Sequence, residues 1–244
     1  MEISRYLAMT AGEIETFSLP EGYRPAYMAC HFSAYGTGLS NVPARLAPGS
    51  MLILNDRTPI CGHDPEVVCA QLEQAEKDLE CDCVLLDFQR AGAEQTRLLC
   101  EILTQALPCP AGVSDLYAEG LDCPVFVSPV PADQSLAEHL APWDGREIWL
   151  DTAPAAARIT VTEAGSVSVE IPFSPAPADA LQDDTLRILY TVKASNEEIV
   201  FDLRRGQAQL DELLSEGQRY GVTKSVGLYQ QLFPQLCEKS IDAP

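Results

Sequence analysis

Residues 81–92 read CDCVLLDFQRAG. The run Cys83, Val84, Leu85, Leu86 is continuously apolar rather than alternating, the pattern of a parallel strand buried on both faces. It follows directly on DPEVVCAQLEQAEKDLE, a helical pattern. There Asp64 is an N-cap, Pro65 sits at N1 and Glu66 lies in the first turn. Val67, Val68, Leu72, Ala75 and Leu79 then fall on one helical face. The strand ends on two polar groups, Asp87 and Gln89, with apolar Phe88 between them. Helix, buried strand and polar strand end together make one unit of a β/α repeat.

The repeat extends in both directions. YRPAYMACHF and SMLILND read as strands upstream. Downstream, AEQTRLLCEILTQAL is a helix that stops at PCPAG, CPVFVSPV is a strand ended by prolines, ADQSLAEHLAPW is a short helix and REIWLDTA is a strand. Such alternation implies right-handed crossovers and a parallel sheet, and this many strands fit a barrel better than an open sheet. The rhythm breaks after Arg158. RITVTEAGSVSVEIPF alternates apolar and polar residues around Ala164-Gly165 and reads as a hairpin. PFSPAPADALQDD is a loop, and LRILYTVKASNEEIVFDL is a second strand pair around Ser195-Asn196. A helix (GQAQLDELLSEGQRYG), a strand (VTKSVGLY) and a last helical turn restore the parallel order. The prediction is an α/β fold, an irregular (β/α)8 TIM-type barrel. It forms one domain over residues 1–244 that includes an antiparallel β excursion at 154–197. Residues 11–23 are too few and too rich in turn formers for a full crossover helix.

Composition narrows the function. The formal net charge is −20, from 36 acidic and 16 basic residues. That charge repels phosphate backbones and anionic bilayers, so neither nucleic acid nor a membrane is an expected partner. No run of 18 apolar residues exists to span a bilayer, and the N-terminus lacks the basic and apolar regions of a signal peptide. Nine cysteines, an odd number, several of them in apolar patterns (Cys30, Cys69, Cys83, Cys100), read as reduced thiols in a cytoplasmic protein. Cys81 and Cys83 would share a strand face, yet no second pair and no suitably spaced histidine completes a metal site. No phosphate loop, dinucleotide glycine motif or G-x-S-x-G elbow is present, and no cofactor is expected.

In parallel barrels function gathers at the C-terminal strand ends. The polar residues there are Asp56, Asp87 with Gln89, Asp151, Tyr229 with Gln230, and His31, Ser33 and Tyr35. Acids, hydroxyls and rings around one mouth suit a sugar or a similar small molecule. Asp56 and Asp151 have a competing reading as N-caps of following helices. Asp87, after an apolar run, is read as pointing into the barrel. It is the candidate catalytic residue, because a buried carboxylate needs partners. His63 and His139 lie beside or within helical patterns and are read as structural or exposed.

DCVLLDFQ resembles the D-G-x-D-x-D-x-E signature that family 18 glycoside hydrolases, the chitinase-like barrels, carry at the end of their fourth strand. On that pattern Asp82 and Asp87 match the first and third Asp, while Cys83, Leu85 and Gln89 replace the Gly, the middle Asp and the Glu. The C-terminal βαβ unit is similar to the family's last one, where a closing aromatic floors the sugar subsite. Tyr229 would hold that place. The resemblance implies a site for an N-acetylglucosamine-type sugar. In the family the Glu protonates the leaving oxygen, and the substrate's own acetamido group is the nucleophile. Gln89 can donate a hydrogen bond but cannot release a proton, and general acid catalysis contributes about 10²–10⁴-fold. The implied protein binds a carbohydrate without efficient hydrolysis. Two alternatives stand beside it: an active hydrolase using Asp87 with Asp151 or Asp56, and a barrel of unrelated small-molecule or structural function.

The cysteine reading has a direct check. Alkylation of the unfolded, unreduced protein followed by mass measurement is expected to find nine free thiols and no stoichiometric zinc. A bridge or a bound metal would contradict it.

Overall fold

The structure is a computed structural model that describes residues 2–35, 38–58, 64–90, 94–170 and 178–236. In chain order its elements begin β1 (Ser4–Met9), α1 (Ala11–Thr16), β2 (Tyr23–Phe32), β3 (Leu39–Ser40), β4 (Met51–Asn55) and α2 (Pro65–Leu79). Next come β5 (Cys83–Asp87), α3 (Glu94–Ala106), β6 (Ala111–Ser114), β7 (Val125–Val127), α4 (Leu136–Leu140) and β8 (Ile148–Asp151). The antiparallel strands are β9 (Ala155–Thr162), β10 (Val167–Glu170), β11 (Leu181–Asp183), β12 (Ile188–Ala194) and β13 (Glu198–Arg205). The chain then returns through α5 (Gln207–Gly217), β14 (Val222–Leu228) and α6 (Tyr229–Leu232).

Eight parallel strands close on themselves in the order β1, β14, β8, β7, β6, β5, β4, β2. Closure is made by β1, where Tyr6 lies opposite Val226 on one side and Arg24 on the other. The fold is therefore the expected irregular (β/α)8 barrel, with β3 added antiparallel to the outer edge of β2. The first crossover is as short as expected: α1 has six residues, held by a capping box in which Thr10 and Glu13 bond each other reciprocally. The Asp64 cap also forms, its side chain accepting the Glu66 N–H at 3.0 Å.

Side-chain alternation sorts each stave into two faces. On β4, Leu52 and Leu54 face outward and Met51 and Ile53 inward; on β5, Val84 and Leu86 face outward and Cys83 and Leu85 inward. The outward set packs against Val68, Leu72 and Leu79 of α2 and Leu99 and Leu103 of α3. The inward set fills the lower barrel with Tyr6, Met51 and Trp149. The Lys224 ammonium lies 4.5 Å from the Trp149 ring centroid, and the indole N–H donates to Glu147 at 3.0 Å. The barrel is thus plugged at its N-terminal end.

Two staves had no clear signal. β1 carries no β-branched residue in SRYLAM, and β6 is only Ala-Gly-Val-Ser. The small residues of β6 have a cause: a Cβ on Gly112 would lie 2.3 Å from Trp149 Cε3. The shared face read for Cys81 and Cys83 is a correction. Cys83 is inside the barrel, whereas Cys81 precedes the strand and joins the helix-facing core.

The second sheet runs β10-β9-β13-β12-β11, all antiparallel. Its first hairpin turns at Gly165, whose φ is +79°, its second at residues 184–187 and its third at residues 195–197. Residues 171–173 of the expected first hairpin lie outside the described residues. Arg205 fastens this sheet to the barrel. Buried, it donates to the carbonyls of Leu186 at 2.8 Å and of Arg187 and Pro131 at 3.2 Å, and to Val130. Among the described residues no helix is long and apolar enough to cross a membrane.

The fit of Trp149 over Gly112 should make that glycine intolerant. Gly112→Ala is expected to lower stability by about 1–3 kcal/mol through overpacking. The drop should read as a reduced urea midpoint at unchanged slope. An unchanged midpoint would show that the indole is free to move.

Candidate functional site

Above the plug the inward residues shrink, and a cavity of about 400 Å³ opens at the C-terminal end of the staves. Its walls are Ala8, Met28, Ala29, Ile53, Leu85, Phe126 and Val226. Its polar lining includes Asp87 from β5, Asp151 from β8, Asn55 from β4, and Thr10 and Arg57. An apolar chamber with a few convergent polar groups is the ordinary form of a small-molecule site.

Alternation carries Asp87 inward, two residues beyond Leu85 on the same face. The exposed Gln89 folds back so that its Nε2 donates to Asp87 Oδ1 at 2.5 Å. Burial holds the Asp87 carboxyl above the usual carboxylate range, the Gln89 bond pulls it down, and Asp56 and Asp115 push it up. Asp151 stands on the facing side of the ring. Burial first, and then the charge of Asp87, push its pKa to about 7, against one opposing bond from the Thr152 backbone. Asp151 caps no helix, because β8 runs straight on toward β9. Two carboxyls thus share one chamber, and one of them holds its proton near neutrality.

Asn55 has a structural duty as well. A bulge interrupts the β2–β4 register between Tyr27 and Cys30, and Asn55 Nδ2 donates to the Met28 carbonyl at 2.8 Å. Asn55 was missed in the sequence, although the parity of Met51 and Ile53 passes through it. Phe126, Arg57 and Thr10 were missed too.

The other expected residues stand elsewhere. Asp56, one step past Asn55, is outside the lining; its Oδ2 accepts the Arg90 N–H at 2.7 Å and ties two loops together. Tyr229 is buried outside the staves, stacked on Phe17 at 5.1 Å between centroids. It provides no sugar floor, because α6 starts there and turns the ring toward α1. Gln230 reaches away to Glu13 at 2.6 Å. Tyr35 is fully exposed, and the His31 ring bonds the Ala29 carbonyl at 3.0 Å; neither lines the cavity. Ser33 accepts the Tyr35 N–H at 3.3 Å. His139 is structural, bonding the Ser128 carbonyl at 2.8 Å, and His63 lies outside the described residues. Asp82, the first acid of the motif match, pairs with Arg24 at the closed end. Among the described residues no three metal-ligating side chains cluster. The described cysteines are unpaired, and burial raises Cys30, Cys81, Cys83 and Cys100 to about 12, so they stay as thiols.

The architecture is shared with solved structures of very different sequence. The chain is similar in fold to the spore cortex-lytic enzyme SleL of Bacillus cereus, with a TM-score of 0.53 and 10% identity over 98% of this chain and 74% of that one. It is similar likewise to SleL of Bacillus megaterium QM B1551, with a TM-score of 0.51 and 9% identity over 97% of this chain and 72% of that one. No family model matches the chain, and no curated protein matches it.

The buried acids set a pH signature. A carboxyl whose folded pKa lies above its unfolded value favours the folded state while protonated. Its contribution is present below about pH 4 and is lost as pH rises through about 7. At about 1.4 kcal/mol per unit the loss is at most about 4 kcal/mol. Urea unfolding of the wild type should therefore show stability falling between pH 4 and 8. Asp151→Asn should remove most of that fall; an identical pH profile in the variant would place the titration elsewhere.

Proposed function

We propose that the protein is a glycoside-hydrolase-like barrel that binds an N-acetylglucosamine-type or similar sugar in its mouth cavity without cleaving it efficiently. The observation that carries this reading is the 2.5 Å bond from Gln89 to Asp87. In the family 18 pattern that DCVLLDFQ resembles, a proton-donating Glu occupies the position of Gln89. A carboxamide fixed on the neighbouring Asp has no proton to give, yet it holds Asp87 in place as an acceptor for a ligand O–H or N–H. The apolar walls suit the C–H faces of a sugar ring, and the fold likeness to two cortex-lytic enzymes fits the same class.

A hydrolase using Asp87 with Asp151 is the second reading, favoured by one observation: Asp151 shares the chamber and is protonated near neutrality. A tuned pair of this kind can divide acid and base roles. Asp56 is not a partner in it, since its carboxylate faces the Arg90 backbone.

Titration with chitotetraose by calorimetry, alongside assay of a chromogenic N-acetylglucosaminide, separates the readings. Expected are binding by the wild type, at least tenfold weaker binding by Asp87→Ala, no turnover by the wild type, and weak turnover by Gln89→Glu. Robust wild-type turnover that is indifferent to Gln89 and lost in Asp151→Asn would establish the second reading in its place.

A further inference from the structure

The chamber has an electrostatic deficit that the proposed function leaves open. Asp87 and Asp151 both line it, between the apolar surfaces of Ile53, Leu85, Phe126 and Val226. Asp56 follows β4 and Asp115 follows β6, and both act on Asp87; Asp87 in turn acts on Asp151. Arg57 lines the cavity mouth but is exposed, and among the described residues it forms no ion pair with either carboxyl. The only side-chain donor to either carboxyl among the described residues is the Gln89 amide. Buried carboxylates are ordinarily paired with a cation or bonded by several donors.

We infer that the ligand itself supplies the missing cation: the chamber takes a sugar bearing a free, protonated amine, placed between Asp87 and Asp151. This deepens the sugar-binding reading and rests on it. A neutral acetamido sugar leaves the pair as it is in the empty site, with a proton on Asp151. An ammonium sugar replaces that proton. Asp151 releases H⁺ to the solvent, and the N–H groups of the ammonium donate to both carboxylates in a dry setting, where charge-assisted bonds are strong. The net charge of −20 also draws a cationic ligand toward the protein. The raised pKa of Asp151, caused first by burial and then by the charge of Asp87, agrees with this account.

The test is calorimetry on the full chain at pH 6 with two probes, chitosan tetramer (four β-1,4-linked glucosamine units) and chitotetraose, its N-acetylated counterpart. Each titration is run in two buffers of different ionisation enthalpy. The inference expects the chitosan tetramer to bind at least tenfold more tightly, with release of close to one proton per site. Asp151→Asn, checked for folding by its thermal melt, is expected to lose both the preference and the proton release. Equal or tighter binding of chitotetraose, or chitosan binding with no proton released, overturns the inference and leaves the sugar-binding reading standing. Binding of neither probe overturns the sugar-binding reading and the inference together.

Discussion

Closure of the barrel is the constraint from which the site follows. Because β1 bonds to both β14 and β2, the sheet has no free edge among its eight parallel staves, and its interior volume is fixed. Every inward side chain then competes for the same space. Trp149, Tyr6 and Met51 take the lower half, and Trp149 can do so only because Gly112 carries no side chain. Ala8, Ala29 and the aliphatic residues above them leave the upper half unfilled. Asp87 and Asp151 enter that space because strand parity carries them inward, and the apolar walls that define the chamber also strip the two carboxyls of water.

The antiparallel sheet depends on the barrel through a different interaction. β8 delivers the chain to β9 directly from Asp151, so the strand that presents a site carboxyl also anchors the second sheet. Arg205 closes the other end of the excursion by donating to four carbonyls on two segments. A guanidinium can do this where an ammonium could not, since its planar fork offers five donors in fixed directions.

Much of this was legible in the sequence. The continuous apolar run before Asp87, the Asp64-Pro65 helix start and the alternation around Ala164-Gly165 each state a local preference that the fold respects. The inward placement of Asp87 follows from period-2 geometry; Gln89 lies beyond the end of β5, exposed and outside the lining, and only its amide turns back to bond Asp87. β1 and β6 were not legible because their residues answer to the barrel interior and not to strand propensity: Ala-Gly-Val-Ser is shaped by Trp149, far away in the chain. Residue type points to Asp56 at the end of β4, whereas the inward parity of Met51 and Ile53 leads to Asn55, the residue that lines the cavity. Tyr229 failed as a subsite floor because the closing strand ends one residue earlier, at Leu228, so the ring joins the outer core with Phe17. The proximity of Asp87 and Asp151 spans three staves, and only the closed ring makes them neighbours in one chamber.

The central claim is that these two carboxyls face a common, largely apolar space and feel each other's charge. Carbon-13 NMR of aspartate carboxyl groups, followed from pH 4 to 9, reads it directly. The account predicts one aspartate titrating near pH 7, lost in Asp151→Asn and moved clearly lower in Asp87→Asn, where the like charge is gone. A wild-type spectrum in which every aspartate titrates in the ordinary carboxylate range, or an Asp151 titration indifferent to Asp87→Asn, would contradict it.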